Sequence, residues 1–317
     1  MGTVSRVLNG SAQVREETRE RVLTAIKDLG FSPNSAARQL SGGKTFTIGV
    51  VSPFFTFPSF VERLTGIQDV LDETEYDLTL YSVRAPERLP QQFRTIIGQN
   101  RVDGLLVLSL PFDEEEVYRL KPCFPIVVVD NEAVERFPHL AVPNSEGGFL
   151  ATRFLIERGH RNIGFLGDPI VNPFNFTSTL RRFEGFQQAL SEAGLACNLD
   201  WCQFAAYEQE SARETVRAIL TQPQRPTALF VATDTLAIAA LSEVREMGLR
   251  VPGDMAVIGF DDIQAAQYSA LTTVRQHLVE SGRWGARRIL DWMQTGASGG
   301  EVDAVTLPLE IVERSTV

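Results

Sequence analysis

The chain has 317 residues, of which 44% are hydrophobic, and it carries a formal net charge of −10. This length and composition predict one small domain and a larger two-lobed one, and they exclude an intrinsically disordered protein. No apolar run approaches the ~18 residues that a membrane-spanning helix needs, and the first residues lack the apolar core of a signal peptide. Because Cys123, Cys197 and Cys202 show no metal-ligand spacing, we expect free thiols in a cytoplasmic protein.

Charge is unevenly distributed along the chain. The first 44 residues hold seven basic and four acidic side chains, a net +3, which leaves −13 for the remainder. A mildly basic head on an acidic body is typical of a DNA-contacting arm attached to a sensor domain. On charge alone, a basic and merely solvated helix surface is an equally good explanation.

Short helices are predicted in the head. Thr3–Leu8 has the pattern of the end of a helix, which Asn9-Gly10-Ser11 stops. Residues 16–29 predict a second helix, because apolar residues recur at helical spacing and a glycine follows. Pro33 opens a third short stretch, 34–40, since proline suits the first position of a helix.

From Thr47 onward, short apolar runs alternate with amphipathic segments. The apolar runs are Thr47–Val51, Leu78–Ser82, Gly104–Leu108, Ile126–Val129, Ile163–Leu166, Ala228–Val231 and Ala256–Phe260. Helices are predicted between them, near 59–74, 88–99, 145–158, 179–193, 209–221 and 235–247. Fully apolar strands alternating with helices indicate parallel sheets that are covered on both faces. About 270 residues is long for one such sheet, so we expect two lobes.

Motifs of common enzyme classes are missing or incomplete. Gly42-Gly43-Lys44-Thr45 is not a phosphate-binding loop, because Arg38 stands where that motif needs glycine and the strand follows the loop instead of preceding it. The sequence contains no G-x-S-x-G, and no G-x-G-x-x-G opens a helix. The three histidines are scattered without metal spacing. We therefore expect no enzyme activity, no cofactor and no metal.

An ordered set of motifs resembles the lactose-repressor family. In the head these are Thr3-Val4-Ser5-Arg6-Val7-Leu8-Asn9, Thr18-Arg19-Glu20-Arg21-Val22, Gly30-Phe31-Ser32-Pro33-Asn34 and Ala36-Ala37-Arg38-Gln39-Leu40. In the body they include Val102-Asp103-Gly104-Leu105, Leu155-Ile156-Glu157-Arg158-Gly159-His160-Arg161, Arg182-Phe183-Glu184-Gly185-Phe186, Val257-Ile258-Gly259-Phe260-Asp261-Asp262 and Leu271-Thr272-Thr273-Val274-Arg275-Gln276. Each motif is weak alone, but together they cover nearly the whole chain in the right order.

The resemblance implies a fold and its domain boundaries. It implies an α/β, two-lobed body like that of periplasmic binding proteins, with two parallel doubly wound sheets, preceded by a partial all-α helix-turn-helix head and a hinge. The head would span residues 1–32, the hinge helix and linker 33–46, and the effector-binding and dimerisation domain 47–317. Within that domain, lobe 1 would comprise about 47–144 and 277–298, and lobe 2 about 145–276 and 299–317.

The resemblance also assigns DNA-binding residues. Thr3, Ser5 and Asn9 match positions that hold backbone phosphates, and Arg6 matches one whose guanidinium reaches a guanine edge. For Arg6, a phosphate-only or surface arginine is the alternative. Residues 34–40 resemble the hinge helix, whose members Asn34 and Ala37 approach DNA and whose leucine, here Leu40, wedges into a minor-groove step. A leucine in an unstructured linker is the alternative for Leu40.

Effector-binding residues follow in the same way. Arg182 and Asp261 match the family's main partners of ligand hydroxyls, and the guanidinium donors and carboxylate acceptors of such a pair suit a polyol. Asp234 follows a strand, where it either binds ligand or caps the next helix. The other candidates are Ser178, Tyr207, Gln276, Thr233, Phe54 and Phe57. For the two phenylalanines, packing in the core is the alternative to a wall that stacks on a sugar.

Three departures from the family pattern affect the ligand. Thr233 stands where the family commonly has asparagine, and Pro143 where it often has aspartate. The first loop, Pro53-Phe54-Phe55-Thr56-Phe57-Pro58, replaces polar residues by phenylalanine. These differences indicate a more apolar pocket mouth, with a sugar still the first choice of ligand.

The front of the DNA-binding head is expected to be missing. In the family a first helix and a turn precede the recognition helix and brace it across the groove. A misassigned start codon and a deliberately shortened protein both explain this, and the sequence leaves both open. We expect weak or lost operator binding by this form. Since the chain ends soon after the last matched motif, we expect a homodimer and no tetramer.

The sequence thus predicts a sequence-specific transcriptional repressor. Its operator affinity would be controlled by a small effector, a sugar or sugar derivative, bound between the two lobes. Its partners would be operator DNA, the effector and a second copy of the chain, with no membrane. The alternative is a cytoplasmic sugar-binding module that has lost DNA binding.

Overall fold

The computed structural model of the chain describes residues 3–8, 14–29, 44–206, 209–295 and 303–317. The chain divides into two compact units, residues 1–45 and 46–317. None of the helices in these described ranges combines the length and apolarity that crossing a bilayer requires.

The described part of the smaller unit contains two helices. They are α1, Thr3–Leu8, and α2, Glu16–Asp28, as the sequence predicted. Val7 is buried, whereas Thr3 and Arg6 on the same helix are exposed. Glu16 and Glu17 open α2, where carboxylates interact favourably with the positive end of the helix dipole. The predicted third helix, 34–40, lies outside the described residues.

A six-stranded parallel sheet forms the first lobe. Its strands are β1 (Thr47–Ser52), β2 (Asp77–Ser82), β3 (Gly104–Leu108), β4 (Ile126–Val129), β5 (His139–Ala141) and β11 (Ala304–Thr306). They lie in the order β11-β5-β4-β3-β1-β2. The helices α3 (Pro58–Leu71), α4 (Leu89–Gly98), α5 (Glu114–Arg119) and α11 (Leu278–Thr295) belong to this lobe.

The second lobe repeats the arrangement. Its strands are β6 (Ile163–Gly167), β7 (Cys202–Phe204), β8 (Ala228–Val231), β9 (Ala256–Asp261), β10 (Thr272–Arg275) and β12 (Glu310–Val312). They lie in the order β12-β10-β9-β8-β6-β7, and β12 alone pairs antiparallel. The helices are α6 (Asn144–Glu157), α7 (Ser178–Glu192), α8 (Gln209–Leu220), α9 (Asp234–Glu246) and α10 (Gln264–Tyr268).

Both sheets are covered on both faces, which confirms the interpretation of the apolar runs. Every residue of β3, β4, β8 and β9 is buried. Successive side chains of a strand point to opposite faces, so a strand between two helical layers must be apolar throughout. Each face has its own hydrophobic cluster under its own pair of helices.

Three segments connect the lobes: 142–143, 276–277 and 307–309. The last of these corrects a predicted boundary. All of 299–317 was predicted in the second lobe, but β11 pairs with β5 in the first sheet and only the following strand joins the second sheet. A strand of three residues carries too little periodicity to be assigned to a sheet from its sequence.

In each lobe, glycines let two helices approach until their backbones touch. A Cβ added at Gly185 of α7 would collide with the carbonyl oxygen of Ser145 on α6, and one added at Gly148 would collide with that of Arg182. In the first lobe, a Cβ at Gly282 of α11 would collide with the carbonyl oxygen of Arg63 on α3. These contacts fix the positions of Arg63 and Arg182, whose own backbones lie in them.

We expect Gly185→Ala to destabilise the protein by about 1–3 kcal/mol or more, because α6 and α7 must separate to admit the methyl group. Gly98→Ala is the matched control, since Gly98 is also helical and a Cβ there meets no atom within 4 Å. Thermal unfolding of the two variants measures the difference. Equal melting temperatures would show that the helix contact is not limiting.

Candidate functional site

A cavity of about 360 Å³ lies between the two lobes of the larger unit. It is situated where open α/β sheets bind ligands, beyond the carboxyl ends of their strands. Its charged and polar lining residues are Ser59, Arg63, Ser109, Asp130, Asp168, Asn172, Ser178, Thr179, Arg182, Thr233, Asp261 and Gln276. The apolar lining residues are Phe54, Phe57, Phe60, Pro169, Pro173, Phe174 and Phe176.

Most of the predicted effector-binding residues line this cavity. They are Phe54, Phe57, Ser178, Arg182, Thr233, Asp261 and Gln276. They come from both lobes and from one of the connecting segments, although they are far apart in sequence. Tyr207 lies outside the described residues, as do the predicted DNA-binding residues Asn9, Asn34, Ala37 and Leu40 and the side chain of Ser5.

Asp234 does not line the cavity, which corrects its predicted contact with ligand. Its side chain is fully buried, accepting a hydrogen bond from the Ile263 backbone N–H at 3.0 Å and another from the Thr273 hydroxyl. Thr233, not Asp234, caps α9: its hydroxyl accepts a hydrogen bond from the Leu236 N–H at 3.4 Å. Asp234 therefore links the start of α9 to β10 and to the loop that follows β9.

A chain of polar contacts crosses from one lobe to the other. Arg63 Nη2 on α3 lies 3.0 Å from Asp130 Oδ2 and donates to Gln276 Oε1 at 3.0 Å. Gln276 Nε2 in turn donates to Asp261 Oδ1, which lies 3.7 Å from Arg182 Nη1. The relative position of the lobes and the orientation of these side chains are therefore linked.

Arg182 projects from α7 and is only 5% exposed. Its Nε donates to Asn144 Oδ1 at 2.8 Å, its Nη1 donates to the Ala232 carbonyl, and its Cζ lies 3.6 Å from the centroid of the Phe260 ring. A guanidinium on an aromatic face gains cation–π attraction when it is desolvated. Arg182 is thus held mainly by neutral groups. Its guanidinium lies closer to the oxygen of Asn144, at 2.8 Å, than to the carboxylate of Asp261, at 3.7 Å.

Burial raises the pKa values of Asp168 and Asp261, two carboxyls of the cavity. The pKa of Asp261 rises to about 7, because loss of water outweighs the opposing effects of Arg182, Arg63 and Gln276. Burial also raises the pKa of Asp168, against the attraction of Arg182 and a hydrogen bond from Thr179. Strongly shifted groups in a cleft are a frequent mark of a functional site.

Backbone strain also collects at the cavity. Ser109, Asp130 and Asp261, each at the carboxyl end of a strand, have φ values of 49°, 64° and 127°. Non-glycine residues rarely adopt positive φ, and each such residue costs of order 1–3 kcal/mol unless its surroundings stabilise it. Here the Ser109 hydroxyl donates to Asp130 Oδ2 at 2.6 Å, which helps to hold both residues in place.

Phenylalanines from both lobes form an apolar wall. In the first lobe, the rings of Phe54 and Phe57 stack with centroids 4.6 Å apart. Phe174 and Phe176, on the loop after β6, stack at 5.4 Å and approach Phe54 at 5.7 and 5.8 Å. The predicted apolar mouth of the cavity is therefore built by two loops, one from each lobe.

Sequence reasoning missed Arg63, Asp130, Asp168, Phe174 and Phe176. Asp130 and Asp168 follow buried strands directly, so the rule that ligands meet the carboxyl ends of strands was a signal available for both. Arg63 lies on the buried face of α3, where a cation is unusual. No comparable pattern marks the two phenylalanines, which lie in an irregular loop.

Comparisons with known proteins agree with this architecture. Residues 1–34 match the model of bacterial regulatory proteins of the lacI family, and residues 152–317 match that of the periplasmic binding protein-like domain. The HTH-type transcriptional repressor PurR of Haemophilus influenzae strain PittEE is 35% identical over 293 residues, covering 91% of this chain and 86% of the relative. The chain belongs to the lacI family of bacterial regulatory proteins.

Further relatives support an effector-controlled, DNA-binding repressor. PurR of Erwinia tasmaniensis is 37% identical over 295 residues, covering 91% of this chain and 85% of that protein. A complex of the transcriptional regulator CelR with cellobiose is 29% identical, with a TM-score of 0.73 and coverage of 100% of this chain and 95% of that one. The Lac repressor bound to ONPG is 26% identical, with a TM-score of 0.83 and coverage of 99% and 95%.

The raised pKa of Asp261 predicts a pH-dependent stability. Between about pH 4 and pH 7 the folded protein keeps a proton on Asp261 that the unfolded chain has released, so the free energy of unfolding should fall as pH rises through this window. Asp261→Asn should remove part of that slope and raise the free energy of unfolding at pH 8 by roughly 1–4 kcal/mol.

Urea unfolding at pH 5 and pH 8 measures this effect. Asp200→Asn, at an exposed site of the same lobe, is the control and should keep the wild-type slope. If Asp261→Asn has the same slope as the wild type, Asp261 is ionised throughout this range and the assignment of its pKa is wrong.

Proposed function

We propose that the effector of this repressor is a sugar or a sugar derivative bound between the lobes, and that it controls operator affinity. The observation that carries the proposal is the arrangement of Arg182, Asp261 and Gln276 around one cavity opposite a wall of phenylalanines. Ligand sites are mostly apolar, with a few polar groups that fix orientation.

The polar groups suit ligand hydroxyls. A hydroxyl both donates and accepts hydrogen bonds, so it can pair with the guanidinium of Arg182 as well as with the carboxylate of Asp261. The apolar C–H faces of a sugar ring fit the phenylalanine rings. The bound ligands named for the two solved relatives, cellobiose and ONPG, support the same class.

Control of DNA binding requires that the ligand favour one arrangement of the lobes over another. Residues of both lobes contact the cavity, and Arg63 and Gln276 link the lobes directly. A ligand that adds contacts to both sides stabilises the arrangement in which those contacts are made. Its binding free energy is then available to shift the population of operator-binding chains.

The DNA-binding side of the proposal keeps the predicted residues. Thr3, Ser5 and Asn9 bind phosphates, and Arg6 reads a guanine edge in the major groove. Asn34, Ala37 and Leu40 belong to a hinge helix that enters the minor groove, with Leu40 as the wedge. The chain acts as a homodimer in the cytoplasm, where two heads contact two half-sites.

Substitution of the two central polar residues tests the cavity. Arg182→Ala and Asp261→Ala should each weaken effector binding by at least tenfold, because removing one partner of a buried polar contact costs about 1–3 kcal/mol. Arg181→Ala is the matched control, since Arg181 is the adjacent arginine of α7 but is exposed and pairs with Glu184. Titration calorimetry with cellobiose and aryl glycosides measures the affinities, and circular dichroism confirms folding.

A gel shift on genomic fragments from around the gene tests repression itself. At low salt, where phosphate contacts contribute most, the full chain should retard a specific fragment at least weakly. The effector should change that retardation in the wild type and in Arg181→Ala but not in Arg182→Ala. Sugar binding without any specific retardation would instead favour a binding module that has lost DNA recognition. Unchanged sugar affinity in both cavity variants would refute the site.

A further inference from the structure

The loop between β6 and α7, residues 168–177, carries a side chain of the second lobe into the core of the first. Phe174 is only 8% exposed and belongs to a hydrophobic cluster whose other buried members lie between Val51 and Phe137, within the first lobe. Phe176 packs against the same cluster. The two lobes are therefore joined by apolar burial as well as by the polar contacts described above.

Phe54, in the loop after β1 of the first lobe, is the partner of both rings. Phe174 meets it edge-on, with ring centroids 5.7 Å apart and an interplanar angle of 77°, and Phe176 lies at 5.8 Å. Edge-on aromatic contacts are favourable, and a buried phenylalanine contributes strongly because it removes a large apolar surface from water. Separating the lobes would expose these rings, so their contact opposes opening of the cleft.

The loop is braced from within by Asn172. Its Oδ1 accepts from the Phe176 backbone N–H at 2.9 Å, and its Nδ2 donates to the carbonyl oxygens of Phe176 at 3.0 Å and Ile170 at 3.3 Å. These bonds fix the segment that carries both phenylalanines without any contribution from the first lobe. A segment that is already ordered loses little conformational entropy when it docks, so the loop can dock and release as a unit.

The contact of the loop with the first lobe is apolar. Among the described residues, no hydrogen bond or ion pair joins residues 169–177 to that lobe. Release would therefore leave no buried polar group without its partner, a loss that makes other contacts costly to break. Val171 on the same loop is 93% exposed, so the outer side of the loop is unobstructed. These features suit a closure that opens and closes reversibly.

The same loop lines the cavity, through Asp168, Pro169, Asn172, Pro173, Phe174 and Phe176. We propose that residues 168–177 form a clasp, in which Phe174 holds the cleft closed by contacts that come from the chain itself. A small molecule enters or leaves the cavity after Phe174 has left the core of the first lobe. This goes beyond the proposed function, because it concerns access to the cavity and applies to any effector.

The clasp makes the closed arrangement the resting one. Burial of one phenylalanine favours the docked over the released loop by about tenfold or more. While the open form is the minor one, truncating that side chain raises its population by the same factor. Lids of this kind commonly set the rates at which ligands bind and leave.

Access to the cavity can be measured without a ligand. Thr179 lines the cavity but is only 5% exposed, so a thiol introduced by Thr179→Cys is reached through the cleft. N-ethylmaleimide is the probe, and peptide mass spectrometry follows its reaction at each cysteine of the full chain. Because the same thiol is compared in every variant, differences in intrinsic reactivity between sites do not enter.

Phe174→Ala, added to Thr179→Cys, should raise the alkylation rate at position 179 by about tenfold or more. Phe174→Leu retains an apolar side chain and should raise the rate less. Asn172→Ala should also raise it, because the internal brace is lost. Val171→Ala is the matched control, since Val171 belongs to the same loop but is exposed, and it should leave the rate unchanged.

Two native cysteines report on folding in the same experiment. Cys202 is buried in the second lobe and should react slowly in every variant, whereas Cys123 is exposed and should react rapidly in all of them. An unchanged rate at position 179 in Phe174→Ala would overturn the clasp. A rate that rises together with that of Cys202 would overturn it as well, because Phe174 would then only stabilise the fold. Neither result bears on the effector site, which titration calorimetry and the gel shift test separately.

Discussion

The contact of Arg63 with Gln276, which continues to Asp261, links the two lobes through buried side chains. Arg63 belongs to the first lobe, Gln276 to a connecting segment and Asp261 to the second sheet. The two helix pairs that touch through glycines fix the positions of Arg63 and Arg182, which lie near the two ends of this series of polar contacts. Backbone packing in each lobe thereby sets the distance between groups that meet in the cleft.

Such a series of buried polar contacts adds little to the free energy of unfolding by itself. Taking charges out of water is expensive, and the attraction within a buried pair often only offsets that loss. The raised pKa values of Asp261 and Asp168 express the same penalty. We interpret this series of contacts as a device that orients the polar groups of the cavity, because each group is held by at least one other.

Much of the fold was predictable because it is set by regular patterns. All seven predicted strands are present, and the six predicted helices of the body begin within a residue of their expected positions. The short strands β5, β7, β10, β11 and β12 were missed, since three or four residues give little periodicity. The short helices α5 and α10 were also missed, as was the long helix α11. Its Gly282 lowers helix propensity, and only its packing against α3 explains why a glycine is there.

Site residues were predictable where they belong to a recognisable sequence motif. Arg182 and Asp261 came from motifs, and the structure brings them to one cavity. Asp234 and Thr233 were distinguishable only in three dimensions, because the carboxylate turns back into the second lobe while the neighbouring hydroxyl caps the helix. Asp168 directly follows a buried strand, so its position at the cavity could have been predicted. The role of Arg63 depends on its contacts with Asp130 and Gln276, which no sequence pattern displays.

We propose that ligand binding changes operator affinity by altering the series of polar contacts between the lobes. Fluorescence anisotropy on an operator duplex, with and without the glycoside that binds most tightly, tests it in the wild type and in Gln276→Leu. The leucine keeps roughly the volume of the side chain but cannot link Arg63 to Asp261. With titration calorimetry showing that the variant is saturated with the ligand, we predict that its operator affinity no longer changes on ligand addition. An unchanged response to ligand in Gln276→Leu would contradict the account.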